Sequence, residues 1–414
     1  MDKYKTALER LYDLAKLGIK PGLDNIKKAV GLLNPNTDNI YIIQIAGTNG
    51  KGTVSHILEQ SFIESGYSTA LFTSPHLNRF TQRIKIDGKE IEKNMCTRLI
   101  NETLDTLEKN ELQLTFFEAV TTMALKYFCD NKVKIIVLEA GLGGRLDATS
   151  VVTPSITAIT SIGLDHTDFL GDTISKIAFE KAGIAKKGVP LYCGRLEEDA
   201  ADVIKSNAYN VKAPLFILGR DFEIDKSLTI PWPGIHQREN ATLAKEIFLN
   251  YPHNFSKSSA EKIYQKALLK TKLEGRFEKL FSLPVWIIDG AHNIEAISAL
   301  VKTLKDEKIV PDEIIFGALK NKPFHEMLSL LKKCSHNISI VNPDVPRTFD
   351  GEKIAAENNL KFYDSVNSAI ESIKSKSTIK NTPCKTVLVT GSFFIAAEAR
   401  SILLKIKNDP KIAM

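Results

Sequence analysis

The sequence has little of what marks secreted, membrane or nucleic-acid-binding proteins. Only five of its 414 residues are cysteine, and no two form a Cys-x-x-Cys pair, so we expect reduced thiols rather than a disulfide framework. No apolar stretch is long enough to span a bilayer, and no run of five like charges could serve as a nucleic-acid-binding arm. The first residues, Met-Asp-Lys-Tyr-Lys, begin a charged amphipathic helix rather than a signal peptide. We therefore expect a cytoplasmic protein with no membrane or nucleic-acid partner.

The composition is that of a globular protein with more than one core. Hydrophobic residues make up 43% and charged residues 25%, and 55 basic against 49 acidic side chains give a net charge of +6. This mild positive charge suits small anionic substrates but also describes an ordinary mixed surface. At 414 residues, the chain exceeds the usual size of a single core, which indicates two domains.

Strand and helix patterns alternate along most of the chain, which predicts an α/β fold with parallel sheets. We expect an N-terminal P-loop ATPase-like domain (1–279) with a mostly parallel, doubly wound sheet, and a smaller C-terminal Rossmann-like α/β domain (280–414). A hairpin is predicted around Asp87-Gly88. The main predicted strands lie at 40–46, 69–73, 134–140, 156–161, 189–193, 285–289, 313–317, 338–341 and 386–390.

The most informative stretch is a glycine loop that follows the apolar strand Ile40–Ala46. Gly47, Gly50 and Gly52 surround Lys51, and a helix pattern follows, an order that suits phosphate binding. The loop departs from G-x-x-x-x-G-K-[ST], because Ile45 replaces the first glycine and Gly52 follows the lysine. The alternative is a tight turn with a surface lysine.

Further polar clusters follow other predicted strands, where open α/β sheets bind ligands. Ser74 lies in Thr-Ser-Pro-His after strand 69–73, and its hydroxyl can ligate Mg²⁺, although a Ser-Pro turn is an equal alternative. Glu139 ends the buried strand Lys134–Ala140, where a carboxylate is costly unless it is metal-bound or paired. A metal role is favoured over a structural ion pair with Arg145.

Two more clusters complete the set. Asp165-His166, assigned to the end of the strand that carries Ile162, suggests a second cation site, and its histidine leaves room for Mn²⁺ as well as Mg²⁺. A split group would lie across a cleft from the phosphate loop. It consists of Gln237, Asn240, Arg276 and Asp289-Gly-Ala-His-Asn293.

Together these motifs resemble the folylpolyglutamate synthase and dihydrofolate synthase family of Mur-type ATP-dependent ligases. The resemblance extends from about Gly18 to Ser401, and Gly52 is the residue that this family has after the lysine. One departure is Asn321-Lys-Pro323 in place of an Asp-Lys-Asp triplet. The matching pieces include Ala46–Thr53, Thr73–Leu77, Thr115–Glu118, Leu138–Thr149, Leu164–His166, Glu180–Ile184, Gly275–Phe277, Asp289–Asn293 and Gly391–Phe393.

The resemblance implies roles for individual residues. ATP would be bound by Asn49, Gly50, Lys51, Gly52, Thr53, Asn240, Arg276 and Asp289. Two divalent ions would be ligated by Ser74, Glu139, His166 and Lys181, the last as a carbamate. Catalysis would depend on Lys51, His166 and Lys181. The pterin and benzoate would be bordered by Thr115, Phe116, Phe117, Glu118, Gly144, Arg145, Leu146 and Asp147, with His292 and Ser392 as further substrate contacts.

The implied reaction transfers the γ-phosphoryl group of ATP to a carboxylate, and the amine of L-glutamate then attacks the acyl phosphate. The acceptor would be dihydropteroate, a reduced folate, or both, and the resemblance favours a monomer. The alternatives are a folylpolyglutamate synthase alone, a cell-wall Mur ligase, or a GTP-dependent switch protein. Phosphate binding close to the N-terminus speaks against the Mur ligase, and the lack of an N-K-x-D motif against the switch protein.

Overall fold

The computed structural model describes residues 2–18, 20, 22–281, 283–345, 348–379 and 385–409. They form two α/β domains, each built around one sheet. Cys384 lies outside the described residues. No helix in the described part of the chain is long and apolar enough to cross a membrane.

The first sheet has eight strands in the order β4-β3-β2-β5-β1-β6-β7-β8. Six of them are parallel, and the hairpin of β3 and β4 extends one edge in antiparallel fashion. The predicted hairpin is therefore confirmed. The strands are β1 (Tyr41–Ala46), β2 (Thr69–Phe72), β3 (Ile84–Ile86), β4 (Lys89–Glu90), β5 (Ile135–Glu139), β6 (Ile156–Ile159), β7 (Leu191–Cys193) and β8 (Leu215–Ile217).

Helices cover both faces of this sheet, as its apolar strands require. One face packs on a core that includes Leu8, Ile100 and Phe128, and the other on a core that includes Phe62 and Phe248. The helices of this domain are α1 (Lys3–Asp13), α2 (Asp24–Leu33), α3 (Lys51–Glu64), α4 (Lys93–Lys109), α5 (Phe116–Asp130), α6 (Thr167–Leu170), α7 (Ile174–Ala182), α8 (Glu198–Val211), α9 (Ile235–Leu249) and α10 (Lys257–Lys270).

The second sheet has six strands in the order β13-β12-β11-β14-β10-β9, of which only β9 is antiparallel to its neighbour. Its strands are β9 (Glu278–Leu280), β10 (Val285–Ile288), β11 (Glu313–Phe316), β12 (Ile338–Val341), β13 (Lys361–Tyr363) and β14 (Thr386–Thr390). Its helices are α11 (Ile294–Asp306), α12 (Phe324–Leu331), α13 (Gly351–Glu357), α14 (Val366–Ile379) and α15 (Phe393–Leu404).

The predicted fold class, with two mostly parallel sheets, is confirmed. Two details differ from the sequence-based assignment. The predicted domain division at 279/280 falls inside β9, which already pairs with β10 of the second sheet. Asp165 and His166 do not end a strand, because β6 stops at Ile159 and an irregular loop separates it from α6. This loop lets the pair reach toward the second domain.

Candidate active site

The phosphate loop connects β1 to α3 as the sequence predicts. Gly50 is the residue before the helix and has a φ of 89°, and a Cβ there would lie 2.5 Å from Oδ1 of Asn240. A side chain at this position would therefore be strained and would collide with α9. The 160–163 loop supports the phosphate loop from below, since the hydroxyls of Thr160 and Ser161 donate to the carbonyl of Asn49 at 2.6 and 3.0 Å.

Two lysine side chains converge on one backbone oxygen of this loop. Nζ of Lys51 and Nζ of Lys181 each donate to the carbonyl oxygen of Gly47 at 2.9 Å. Lys181 reaches it from α7 and is only 4% exposed. Burial, reinforced by the charge of Lys51, lowers the pKa of Lys181 to about 7. The site thus places two amines next to the loop where a phosphate would bind, and that of Lys181 is partly neutral near pH 7.

Glu139 lies at the end of β5, directly below the start of α3. Both carboxylate oxygens are 3.8 Å from the position that a Cβ of Gly52 would take, and Oε2 accepts a hydrogen bond from the backbone N–H of Ser74 at 3.2 Å. Burial raises the pKa of Glu139, while the charge of Lys51 opposes the rise. The predicted metal ligands Glu139 and Ser74 are therefore adjacent.

The structural alternative for Glu139 does not occur. Arg145 instead pairs with Glu180, with 2.8 Å between Nη2 and Oε1. In the described part of the chain, no three His, Cys, Asp or Glu side chains form a group that could hold a metal ion. Of the four predicted ligands, Glu139 and His166 are the only ones of these residue types.

Asp165 joins the two domains. Its carboxylate pairs with Lys322 and lies 3.5 Å from Nε2 of His292, and it accepts a hydrogen bond from Asn293 at 3.1 Å. Burial raises the pKa of this carboxyl, but His292 and Lys322 outweigh that effect and hold it well below its usual range. His166, the predicted metal ligand, is the residue before α6, has a φ of 52° and is exposed.

The phosphate loop also touches the second domain directly. The side-chain amides of Asn49 and Asn293 exchange two hydrogen bonds of 3.3 and 3.1 Å. Neither Lys322 nor Asn293 was predicted to contact Asp165 or the loop. They are 157 and 244 residues away from those partners, so no local sequence pattern could have indicated these contacts.

A cleft of about 220 Å³ opens between the phosphate loop and the second domain. The predicted nucleotide ligands Asn240, Arg276 and Asp289 line it, together with Asn49, Gly50 and Thr53. Burial lowers the pKa of Arg276 and raises that of Asp289, and each charge opposes the shift of the other. Sequence reasoning missed Arg195, His236 and Thr303, which also line the cleft.

The two aromatic residues predicted beside the pterin differ in exposure. Phe116 is 4% exposed and packs in the core against Tyr12, with ring centroids 5.8 Å apart. Phe117 is half-buried and lies against the glycine loop, where a Cβ on Gly141 would be 2.6 Å from its ring. Of the two rings, Phe117 borders the glycine loop, whereas Phe116 is a core residue.

The polar residues predicted beside the pterin have partners within their own loops. Oε2 of Glu118 accepts hydrogen bonds from the N–H and hydroxyl of Thr115, both 2.8 Å, and so caps α5. Asp147 accepts from the N–H groups of Leu142 and Thr149 at 2.8 and 3.0 Å. Both carboxylates therefore stabilise the local backbone. In the same loop, Gly144 packs against α7 and Leu146 is half-buried.

The last two predicted substrate contacts lie in the second domain. Nδ1 of His292 is 2.8 Å from the carbonyl oxygen of Gly290, and its ring centroid is 5.8 Å from that of Phe393. Ser392 is the cap residue of α15, where its hydroxyl accepts from the N–H of Ile395 at 3.1 Å. The two residues therefore flank Phe393 on the wall that faces the first domain.

Comparison with known proteins agrees with this geometry. Residues 45–192 match the family model of the Mur ligase middle domain, and residues 275–393 match that of the Mur ligase glutamate ligase domain. The chain is 33% identical to the dihydrofolate synthase/folylpolyglutamate synthase of Bacillus subtilis over 435 residues, covering 97% of this chain and 99% of that protein.

Solved structures are similar over nearly the whole length. Escherichia coli FolC in complex with DHPP and ADP matches with a TM-score of 0.85 and 28% identity, covering 96% of this chain and 98% of that one. Mycobacterium tuberculosis folylpolyglutamate synthase complexed with ADP matches with a TM-score of 0.88 and 26% identity, covering 99% and 100%.

The two sheets, the phosphate loop and the cleft between domains define an ATP-dependent ligase of the Mur type, a class that forms amide bonds. Within that class, the chain belongs to the dihydrofolate synthase/folylpolyglutamate synthase family.

Proposed function

We propose that this enzyme adds L-glutamate to both 7,8-dihydropteroate and reduced folates, with ATP as the phosphoryl donor. The Bacillus subtilis relative carries both activities in its name, and the Escherichia coli structure holds DHPP together with ADP. A cytoplasmic location and a monomeric state belong to the same proposal. The observation that carries it is the convergence of Lys51 and Lys181 on one oxygen of the phosphate loop.

Lys51 is suited to the first step of this reaction. The substrate carboxylate attacks the γ-phosphorus, the bond to ADP breaks, and an acyl phosphate forms. Negative charge from both reactants accumulates between them, and a preorganised ammonium in a partly dry site offsets it. The loop N–H groups and the start of α3 add partial positive charge on the same side.

The residues beside this loop fit divalent cations. Glu139 is 5% exposed, yet the one hydrogen bond that it accepts in the described part of the chain is that from Ser74. A buried carboxylate with free lone pairs suits Mg²⁺, or Mn²⁺ beside a histidine. Ser74, Glu139, His166 and Lys181 would hold the ions, which would neutralise phosphate charge when bound.

Lys181 would join this set as a carbamate. Its pKa of about 7 leaves much of the amine neutral near pH 7, so that Nζ can attack the carbon of CO₂, form an N–C bond and lose a proton. The product replaces a cation by two oxygen ligands. Lys181→Ala should therefore lose activity and regain part of it with a short-chain carboxylic acid, whereas Lys181→Arg should not be rescued.

The second step is attack by the amine of glutamate on the acyl carbon, after which the C–O bond to phosphate breaks. Water must be kept out, because it would hydrolyse the acyl phosphate. The contacts of Asp165 with Lys322 and of Asn49 with Asn293 hold the second domain against the phosphate loop. They are the contacts that would exclude water at this point.

An ADP-release assay with glutamate tests the proposal, with dihydropteroate and tetrahydrofolate offered separately. Both acceptors should release ADP, and mass spectrometry should show one added glutamyl residue in each product. ADP release with tetrahydrofolate alone would make the enzyme a folylpolyglutamate synthase only. The Lacticaseibacillus casei relative, named for that single activity and 29% identical, favours this second candidate.

A further inference from the structure

After α15, the chain turns back and contacts the first domain. The helix ends at Leu404, and Lys405 follows with a φ of 55°, the left-handed conformation that often reverses the chain after a helix. Ile406 closes the turn, because its N–H donates to the carbonyl of Ser401 at 3.0 Å and its carbonyl accepts from the hydroxyl of the same serine. We call residues 405–409 the strap.

The strap is hydrogen-bonded to the loop that follows β2. The N–H of Asp409 donates to the carbonyl of Asn78 at 3.0 Å, and the side-chain amide of Asn78 donates to Oδ1 of Asn408 at 2.8 Å. Oδ2 of Asp409 accepts from the N–H of Phe80 at 2.8 Å and from the hydroxyl of Tyr4, in α1, at 2.7 Å. The strap therefore joins the second domain to two segments of the first.

The two donors to the Asp409 carboxylate are buried. Phe80 is fully buried and Tyr4 is 6% exposed. In the described part of the chain, Oε1 of Gln82 accepts from the N–H groups of residues 77–79 but not from that of Phe80. Burial, together with the hydrogen bond to Asp409, raises the pKa of Tyr4, so its hydroxyl stays protonated and donates. Removing Asp409 would leave both donors without this acceptor, which is costly for buried groups.

The strap and the phosphate loop hold the second domain on two sides of Glu139. In the first sheet, β5 lies between β1 and β2. The phosphate loop follows β1, Glu139 ends β5, and the loop bound by the strap follows β2. Contacts on both sides of the predicted metal site leave the second domain less freedom to rotate than contacts on one side would.

We propose that the strap, through Asp409, keeps the second domain closed over the reacting groups while the acyl phosphate exists. This inference rests on the proposed function, since it assumes that intermediate. In an open enzyme, water would attack the acyl carbon and the C–O bond to phosphate would break. The products would be the original carboxylate, inorganic phosphate and a proton, so ATP would be consumed without addition of glutamate. Because Asp409 acts through the domain interface, it is a positioning residue.

The test is the ratio of ADP released to glutamyl product formed, with dihydropteroate as the acceptor. The wild type should release one ADP for each product molecule. Asp409→Ala should raise the ratio about threefold or more, because losing a hydrogen bond to a charged group shifts an equilibrium by about tenfold or more. Tyr4→Phe, which removes one of the two bonds, should give a smaller rise. Asp409→Asn keeps an acceptor oxygen and should also give a smaller rise.

Asp312→Ala is the matched control, because Oδ2 of Asp312 also accepts two hydrogen bonds, but within the second domain. The donors are the N–H groups of Lys385 and Thr386, at 2.9 and 2.8 Å. This variant should lower the melting temperature and keep the wild-type ratio. An unchanged ratio in Asp409→Ala, or an equal rise in Asp312→Ala, would overturn the inference. If Asp409→Ala does not fold, Tyr4→Phe takes its place, and a wild-type ratio in that variant would overturn the inference.

Hydrogen exchange tests domain closure without any reaction. Residues 289–296 include Asn293, which contacts the phosphate loop from the second domain. Their exchange should be faster in Asp409→Ala than in the wild type, and unchanged in Asp312→Ala. Faster exchange confined to residues 77–80 would show that the strap has only a local effect and would contradict the inference. A wild type that forms no glutamyl product with either acceptor would refute the proposed function, whereas the exchange rates would still test the strap.

Discussion

The phosphate side and the pteroate side of the predicted site differ in how their polar groups are used. On the phosphate side, within the described residues, Glu139 accepts one backbone hydrogen bond and Nζ of Lys181 donates one, to the carbonyl of Gly47. On the pteroate side, Oε2 of Glu118 accepts two hydrogen bonds from Thr115, and both oxygens of Asp147 accept hydrogen bonds from neighbouring backbone and hydroxyl donors. The polar atoms of the first region are available to ligands, whereas those of the second region form hydrogen bonds within its own loops.

This difference distinguishes motifs that bind a ligand from motifs that stabilise the fold. A buried polar group with unused hydrogen-bonding capacity costs stability, so a fold that retains it points to a ligand. A polar group with all its partners in place is explained by the fold alone. The phosphate side should therefore respond to mutation mainly in activity, and the pteroate side mainly in stability.

Lys51→Ala should have the largest effect on activity. It removes the ammonium that offsets charge during phosphoryl transfer, a contribution worth about 100-fold or more in turnover. The melting temperature should stay close to that of the wild type. Steady-state ADP release and thermal unfolding of the same preparation check both. A variant with more than about a tenth of wild-type turnover would remove Lys51 from this role.

The variants Phe116→Ala and Phe117→Ala test whether the pteroate side responds to mutation mainly in stability. Phe116→Ala should lower the free energy of unfolding by about 3–5 kcal/mol, because it opens a cavity in the core. Phe117→Ala should destabilise less and raise the Michaelis constant for dihydropteroate more than that for ATP. Denaturant unfolding measures the free energy of unfolding of both variants, and steady-state kinetics measures their Michaelis constants. A larger loss of stability in Phe117→Ala and a larger rise in the Michaelis constant for dihydropteroate in Phe116→Ala would instead indicate that Phe116 faces the ligand.

Glu118→Ala should lower the free energy of unfolding by about 1 kcal/mol, the usual value of a helix cap. Its Michaelis constants should remain close to wild type, since both hydrogen bonds of Oε2 are internal to the cap. Glu118→Gln, which keeps an acceptor, is the control and should recover most of the stability. A selective rise for dihydropteroate in Glu118→Ala would show that this carboxylate also binds the substrate.

The lowered pKa of Lys181 predicts a pH dependence of stability in the protein without CO₂ and metal. Its pKa falls from 10.5 to about 7 on folding, so between these values the unfolded chain holds more protons than the folded one. Stability from this group therefore rises with pH in that window, by at most about 1.4 kcal/mol per pH unit. Lys181→Met should remove this rise in denaturant titrations from pH 7 to 10. Equal slopes in both proteins would contradict the assigned pKa.

Local patterns predicted the elements that place the phosphate loop. The continuous apolar runs in β1, β5 and β14 are typical of buried parallel strands, and all three occur where expected. The short edge strand β8 was not predicted, because Phe216 at its centre is exposed and the segment lacks the pattern of a buried strand. The helices α4 and α8 were not predicted either, although the buried residues of α4 recur at helical spacing from Cys96 to Leu107.

The positions of site residues could be predicted where one strand and the loop after it carry them. Contacts between segments that are distant in sequence could not be predicted. Lys51 follows β1 and Glu139 ends β5, two strands that their apolar runs predicted. The partners of Asp165 come from the second domain, and only the packing of the two domains brings Lys322 and Asn293 to it. Sequence spacing also could not distinguish Phe116 from Phe117, because adjacent residues of a helix point in directions about 100° apart and either ring could face the core.

Metal dependence of Glu139→Gln tests the central distinction between the two sides most directly. The measurement is the Mg²⁺ concentration that gives half-maximal ADP release, compared with the wild type and with Asp147→Asn, which removes a saturated carboxylate. Glu139→Gln should shift that concentration upward by about 10-fold or more with an unchanged melting temperature, and Asp147→Asn should shift only the melting temperature. A lowered melting temperature and an unshifted Mg²⁺ requirement in Glu139→Gln would contradict the account.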